Sequence, residues 1–195
     1  MTRVVDEALR ICRAMMPGLP GGTCSVRDDD ETTSYAGDGG AALIASRGIY
    51  RRCPEVHGIV HWYPMNLLTL AATGQALRPV MLTGAFLPEG GIPVLSVSEP
   101  LASEAAATAL AEALSDRPLC ITPQYGVFAS GSSLEEAVTI VLGAEKNAVQ
   151  QVAAGIVGSP NFFQGGEYRA LFSEQQGYAA HGVRKYWSYL VESTR

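Results

Sequence analysis

A nine-residue run, Val56-His57-Gly58-Ile59-Val60-His61-Trp62-Tyr63-Pro64, constrains this chain more than any other stretch. Its length and apolar content predict a buried β-strand, and alternation then puts His57, Ile59, His61 and Tyr63 on one face. Pro64 has no N–H for a ladder, so it stops the strand, and its fixed φ suits the start of a helix. Imidazole and phenol groups at the end of such a strand suit metal binding or proton transfer. They suit equally well a pair of partly buried rings with satisfied hydrogen bonds, because His-x-x-x-His alone is a weak motif.

The rest of the chain must supply the layers around that strand. At 195 residues, 47% of them hydrophobic and 17% charged, it has the composition of one soluble globular domain. A net charge of −5 leaves no basic footprint for nucleic acid or for an anionic membrane surface. No apolar run approaches the roughly 18 residues a spanning helix needs. The N-terminus reads as an amphipathic helix start rather than a signal peptide, so the expected location is cytoplasmic. Cys12, Cys24, Cys53 and Cys120 form no Cys-x-x-Cys pair and read as small buried hydrophobes.

Helical spacing is expected over 4–16, 41–52, 64–72, 100–114 and 134–154, the last opened by the capping box Ser133-Leu134-Glu135-Glu136. Strands are expected at about 23–27, 56–63, 79–87, 92–98 and in the pair flanking Pro123-Gln124-Tyr125-Gly126. The acidic run Asp28–Glu31 reads as a solvated turn. Gly158-Ser159-Pro160-Asn161 breaks the chain, and an aromatic-rich C-terminal segment, 158–195, completes a single domain over 1–195. Strands in the middle with helices on either side predict an α/β fold in α/β/α layers, with a mainly antiparallel central sheet.

The order of these pieces resembles the class II aldolase/adducin family. Gly22-Thr23-Cys24-Ser25-Val26-Arg27 resembles its Gly-Asn-x-Ser-x-Arg loop, and Val60-His61-Trp62-Tyr63-Pro64 its His-x-His-Pro strand. Gly90-Gly91-Ile92-Pro93-Val94 resembles its Gly-Gly-x-Ile-Pro turn. Tyr125-Gly126-Val127 with Ser133-Leu134-Glu135-Glu136-Ala137 resembles its Asn-His-Gly strand and Leu-Glu-Glu-Ala helix. The resemblance implies zinc held by three histidines and a helix carboxylate, which polarises a carbonyl so that a neighbouring carbon–carbon bond breaks or forms. Of those four positions only His61 matches; the others fall on Tyr63, Tyr125 and Ala42.

Two function classes follow. The first is a small-molecule lyase-type enzyme, aldol, retro-aldol or decarboxylating, that works through an enol-like intermediate without metal in a bacterial biosynthetic pathway. His61, Tyr63 and Tyr125 would be its catalytic residues, with the phenols orienting an oxyanion. Thr23, Ser25, Arg27, Thr83 and Glu89 would contact the substrate, which Ser25 and Arg27 suggest is a small anion. Arg27 has another reading, an ion pair with Asp28–Asp30. The second class is a non-catalytic, adducin-like binding or scaffold protein.

No cofactor is expected. A zinc-dependent aldolase with a rearranged ligand set would need His57 or His181 to complete the shell. At about 3.3 Å per residue, His57 lies some 13 Å from His61 along a strand. The resemblance also implies a homo-oligomer, a four-fold ring with the pocket between neighbours, and the Tyr/Trp-rich tail suits a docking surface.

Overall fold

The computed structural model describes residues 2–16, 19, 21–28, 33–84 and 86–194, and not the side chains of Thr2, Thr83, Arg169 or residues 171–182. Helix α1 (Thr2–Met15) leads into strands β1 (Thr23–Arg27) and β2 (Thr33–Gly37), helix α2 (Gly40–Arg52), strand β3 (Gly58–Trp62) and helix α3 (Met65–Ala72). After an irregular stretch come α4 (Glu104–Leu114), β4 (Leu119–Thr122), β5 (Gly126–Gly131), α5 (Leu134–Val157) and α6 (Gly165–Ser193). The five strands form one antiparallel sheet in the order β2-β1-β3-β5-β4. The expected layering, helices on both faces of a mainly antiparallel sheet, is what the molecule adopts.

Alternation along β3 decides which side chains go to which layer. Val60 and Trp62 join Cys24, Val127, Ala129, Leu119 and Ile121 in a cluster covered by α1, α3, α5 and Leu190 of α6. Ile59 faces the other way, with Phe128 and Cys120, under Ile49 of α2 and Leu110 of α4. Phe128 and Ile59 have no exposed surface, and burying each stabilises the fold by about 1.5–3 kcal/mol. Among the described residues, no helix is long and apolar enough to cross a membrane.

Two expectations fail between α3 and α4. The described residues of 79–87 and 92–98 are not strands; the first span holds a 3-10 turn at Leu82–Gly84, and the second makes single bridges, Ile92 with Leu77 and Val94 with Ile121. Pro79, Pro88 and Pro93 deny the segment a continuous run of N–H donors. Its main-chain groups are satisfied instead by side chains of α5. Asn147 donates to the Arg78 carbonyl (2.7 Å) and accepts from the Val80 N–H (3.0 Å). Gln151 donates to the Ala76 carbonyl (2.9 Å) and accepts from the Arg78 N–H (2.9 Å). The fourth helix also starts later than expected, at Glu104, because Ser103 caps it by accepting from the Ala106 N–H.

The aromatic-rich tail is largely the helix α6. Its Tyr186, Trp187 and Leu190 pack on the core, and Tyr168 donates to the Leu87 carbonyl (2.8 Å). The expected acidic turn falls on Asp29–Glu31, outside the described residues; Asp28 accepts from Ser34.

Candidate functional site

His61 lies directly opposite Thr23 of β1 and Phe128 of β5 in the ladder. Its ring leans on Phe128 at 4.6 Å and meets the Tyr63 ring edge-on at 4.9 Å and 77°. The β4–β5 hairpin brings in the third ring. Thr122 Oγ1 donates to the Gly126 carbonyl (2.9 Å) and accepts from the Tyr125 N–H (3.0 Å), which fixes the tight turn. Gly126 sits at φ +83°, and a Cβ there would come within 2.5 Å of the Trp62 carbonyl and 2.8 Å of the Tyr63 ring. Only glycine lets the hairpin approach this closely.

That turn aims the Tyr125 carbonyl at His61 Nε2, 2.6 Å away. A carbonyl only accepts, so Nε2 carries the hydrogen, and in the neutral ring Nδ1 holds a lone pair. Nδ1 is buried and has no hydrogen-bond partner among the described residues. Burial pushes the His61 pKa below the usual imidazole range, against a smaller upward pull from the Tyr125 carbonyl. The ring is therefore a neutral base. Tyr63 is partly buried, and its pKa is raised by desolvation and then by the nearby Asp38 charge, so it stays a protonated donor. The Tyr125 phenol is engaged elsewhere, donating to the Glu99 carbonyl (3.0 Å).

His61, Tyr63 and Tyr125 border one cavity of about 820 Å³, closed by Gly21, Gly22, Asp38, the first residues of α2 and Pro100–Ala102. The turn at Gly21-Gly22 was read from the sequence, but Asp38 was not. The available signal was an acidic residue set immediately before Gly39-Gly40, at the entry of a helix. Thr23 lies beneath the cavity, donating its hydroxyl to the Asp38 carbonyl. Ser25 is fully buried and exchanges hydrogen bonds with Tyr50.

Arg27 donates to the Tyr50 carbonyl (2.8 Å) and the Pro54 carbonyl, holding the end of α2. Of the acids in the expected ion pair with Asp28–Asp30, Asp29 and Asp30 lie outside the described residues. The backbone of Thr83 lies in the 3-10 turn packed on α5, its side chain being outside the described residues, and Glu89, which is not among the described lining residues, accepts from the Gly165 N–H (2.6 Å). His57 precedes β3, is exposed, and donates to the Glu55 carbonyl (3.1 Å). The side chain of His181 lies outside the described residues.

These residues do not fit a zinc shell. No three His, Cys, Asp or Glu converge among the described residues. His61 Nε2 is occupied by a carbonyl, and the helix position for a carboxylate presents the methyl group of Ala42.

Residues 44–152 match the family profile described as the Class II Aldolase and Adducin N-terminal domain. Over 114 residues the chain is 29% identical to the 3,4-dihydroxyphthalate decarboxylase of Terrabacter sp. (strain DBF63), covering 55% of this chain and 48% of that one. It therefore spans about half the length of that relative. An aldolase II superfamily protein from Pseudomonas syringae superposes with a TM-score of 0.81 at 14% identity, over 99% of this chain and 91% of that one. L-fuculose 1-phosphate aldolase from Glaciozyma antarctica PI12 superposes with a TM-score of 0.75 at 18% identity, over 97% and 87%. At such identities the likeness is one of fold.

Proposed function

Because the chain belongs to the class II aldolase/adducin family, we propose that it is a metal-independent lyase-type enzyme acting on a small molecule through an enolate. The observation that carries this reading is His61, a neutral buried base among the residues that line the cavity, whose Nδ1 has no partner among the described residues. In the proposed step Nδ1 takes the proton from the carbon next to a substrate carbonyl. The C–H electron pair moves into the carbon skeleton and the carbonyl oxygen becomes an enolate. Tyr63 donates a hydrogen bond to that oxygen, an aid of about 2–4 kcal/mol when aligned. The imidazolium then returns the proton to carbon, or the enolate carbon joins an aldehyde and the resulting alkoxide takes that proton.

Tyr125 serves here as a positioning residue: its carbonyl holds the tautomer that leaves Nδ1 free. Thr23, Ser25 and Arg27 serve by bracing Asp38 and Tyr50 rather than by touching substrate. Decarboxylation is the second reading, favoured by the resemblance to the Terrabacter decarboxylase. It leads to the same oxyanion, with carbon dioxide leaving in place of the proton. Glu89 is not among the described residues lining its own cavity, and we propose that it and Thr83 reach a substrate in a neighbouring copy, within a homo-oligomer of the four-fold kind.

The test is proton exchange in D2O. Chelator-treated protein should exchange the α-hydrogens of dihydroxyacetone, and His61→Gln should abolish it. 3,4-Dihydroxyphthalate, followed by carbon dioxide release, tests the second reading. Exchange that disappears with chelation and returns with zinc would sink the metal-free mechanism. Exchange that survives His61→Gln would move the chemistry elsewhere. A monodisperse monomer in sedimentation at micromolar concentration would refute the ring.

A further inference from the structure

We infer that Asp38 determines specificity in this cavity, selecting a substrate that turns a hydrogen-bond donor, a hydroxyl or a protonated amine, toward it and excluding a phosphate or carboxylate there. The inference rests on the reading of the cavity as the substrate site. Among the described lining residues Asp38 is the one charged side chain, and no lysine or arginine borders the space. The cations that an anionic substrate would need are turned away, as Arg27 is toward the carbonyls of Tyr50 and Pro54.

The carboxylate stands beside the reacting groups. Its Oδ2 and the edge of the Tyr63 ring each lie 3.4 Å from where a Gly21 Cβ would be, and its charge is felt by the phenol. Its backbone is pinned on both sides. The Asp38 N–H donates to the Gly22 carbonyl (2.9 Å), and the Asp38 carbonyl accepts from Thr23. A carboxylate only accepts hydrogen bonds, so it pairs with a donor and repels an anion. Tyr63 and Tyr125 also line the space, and an aromatic ring attracts a cationic head that comes to lie over it. His61, 3% exposed and with Nδ1 unpartnered, is the second mark of a ligand in the same space.

The molecule carries its own reporter, since it has only three histidines. The full chain, labelled with 15N-histidine, is titrated with inorganic phosphate, ethanolamine and glycerol while the His61 resonance is followed. His61→Gln identifies that resonance. Asp38→Asn should tighten phosphate binding by roughly tenfold and weaken the donor probe by a similar factor. Ethanolamine and glycerol separate an amine from a hydroxyl. Damage to the fold would not tighten any ligand, and Asp38→Ser is read beside Asp38→Asn with thermal unfolding of both. A phosphate affinity unchanged by the substitution, absence of binding in both proteins included, overturns the inference, as does an unchanged donor affinity. Proton exchange on dihydroxyacetone is scored separately, so loss of the lyase reading and loss of the Asp38 reading have different signatures.

Discussion

On the face of the sheet covered by α5, every polar side chain that faces inward from the helix meets main-chain groups made for it. Glu145 accepts from the N–H groups of Asn66 and Leu67 and from the Asn66 side chain, capping α3. Asn147 and Gln151 each hold a donor and an acceptor of the segment at 76–80. Across the sheet, under α2, the buried His61 keeps one nitrogen without a partner among the described residues, and Tyr63 and Asp38 line an open cavity. The first arrangement lowers the energy of the fold; the second leaves groups to be completed by something from outside. The difference separates scaffold from site inside one small domain.

Four substitutions break or sharpen that division. His61→Gln should slow proton exchange by about 10²–10⁴-fold with little change in melting temperature. Asn147→Ala leaves two part-buried main-chain groups unpaired and should cost about 1–3 kcal/mol in denaturant unfolding, with the rate per folded molecule unchanged. Tyr63→Phe should cost tens-fold in kcat with KM nearly constant, because the lost hydrogen bond belongs to the oxyanion. Tyr125→Phe should cost less than about threefold, since the carbonyl that holds His61 is retained. A loss as large as that of Tyr63→Phe would restore the phenol to a direct role.

The pH dependence divides the same way. His61 is held below its unfolded value, so the unfolded chain binds the extra proton first as pH falls. Its contribution to stability is fully present above the ordinary imidazole value, about 6.5, and is lost on acidification through the depressed folded value. The acid limb of the exchange rate should likewise lie below 6.5, and His61→Gln should remove both effects.

The inner strands and α5 were legible because their patterns are local, while the edge strand β2, read as a glycine-rich loop, and the helix α6, read only as an aromatic-rich segment, were not. Ile59 and His61 alternate with Val60 and Trp62, and Ser133 announces α5 by its cap. The stretch from 79 to 98 was not legible, since nothing in its own residues says that amides some 70 positions later will take the place of a partner strand. His61 and its two tyrosines could be singled out from residue type and order. The tautomer could not, for it depends on a carbonyl brought round by Gly126. Asp38 escaped because a single acid in a glycine-rich loop has no periodicity to mark it.

The amides of Asn147 and Gln151 touch only main-chain atoms of their client segment, and this has a bearing on how the family can vary. A clamp of that kind is blind to side chains. The clamp itself makes no demand on the side chains at 76, 78 and 80, whereas Leu77 between them is fixed by the core and Gly84 by its contact with Asn147. The one residue type the clamp rejects is proline at position 78 or 80, where an N–H must be offered to α5.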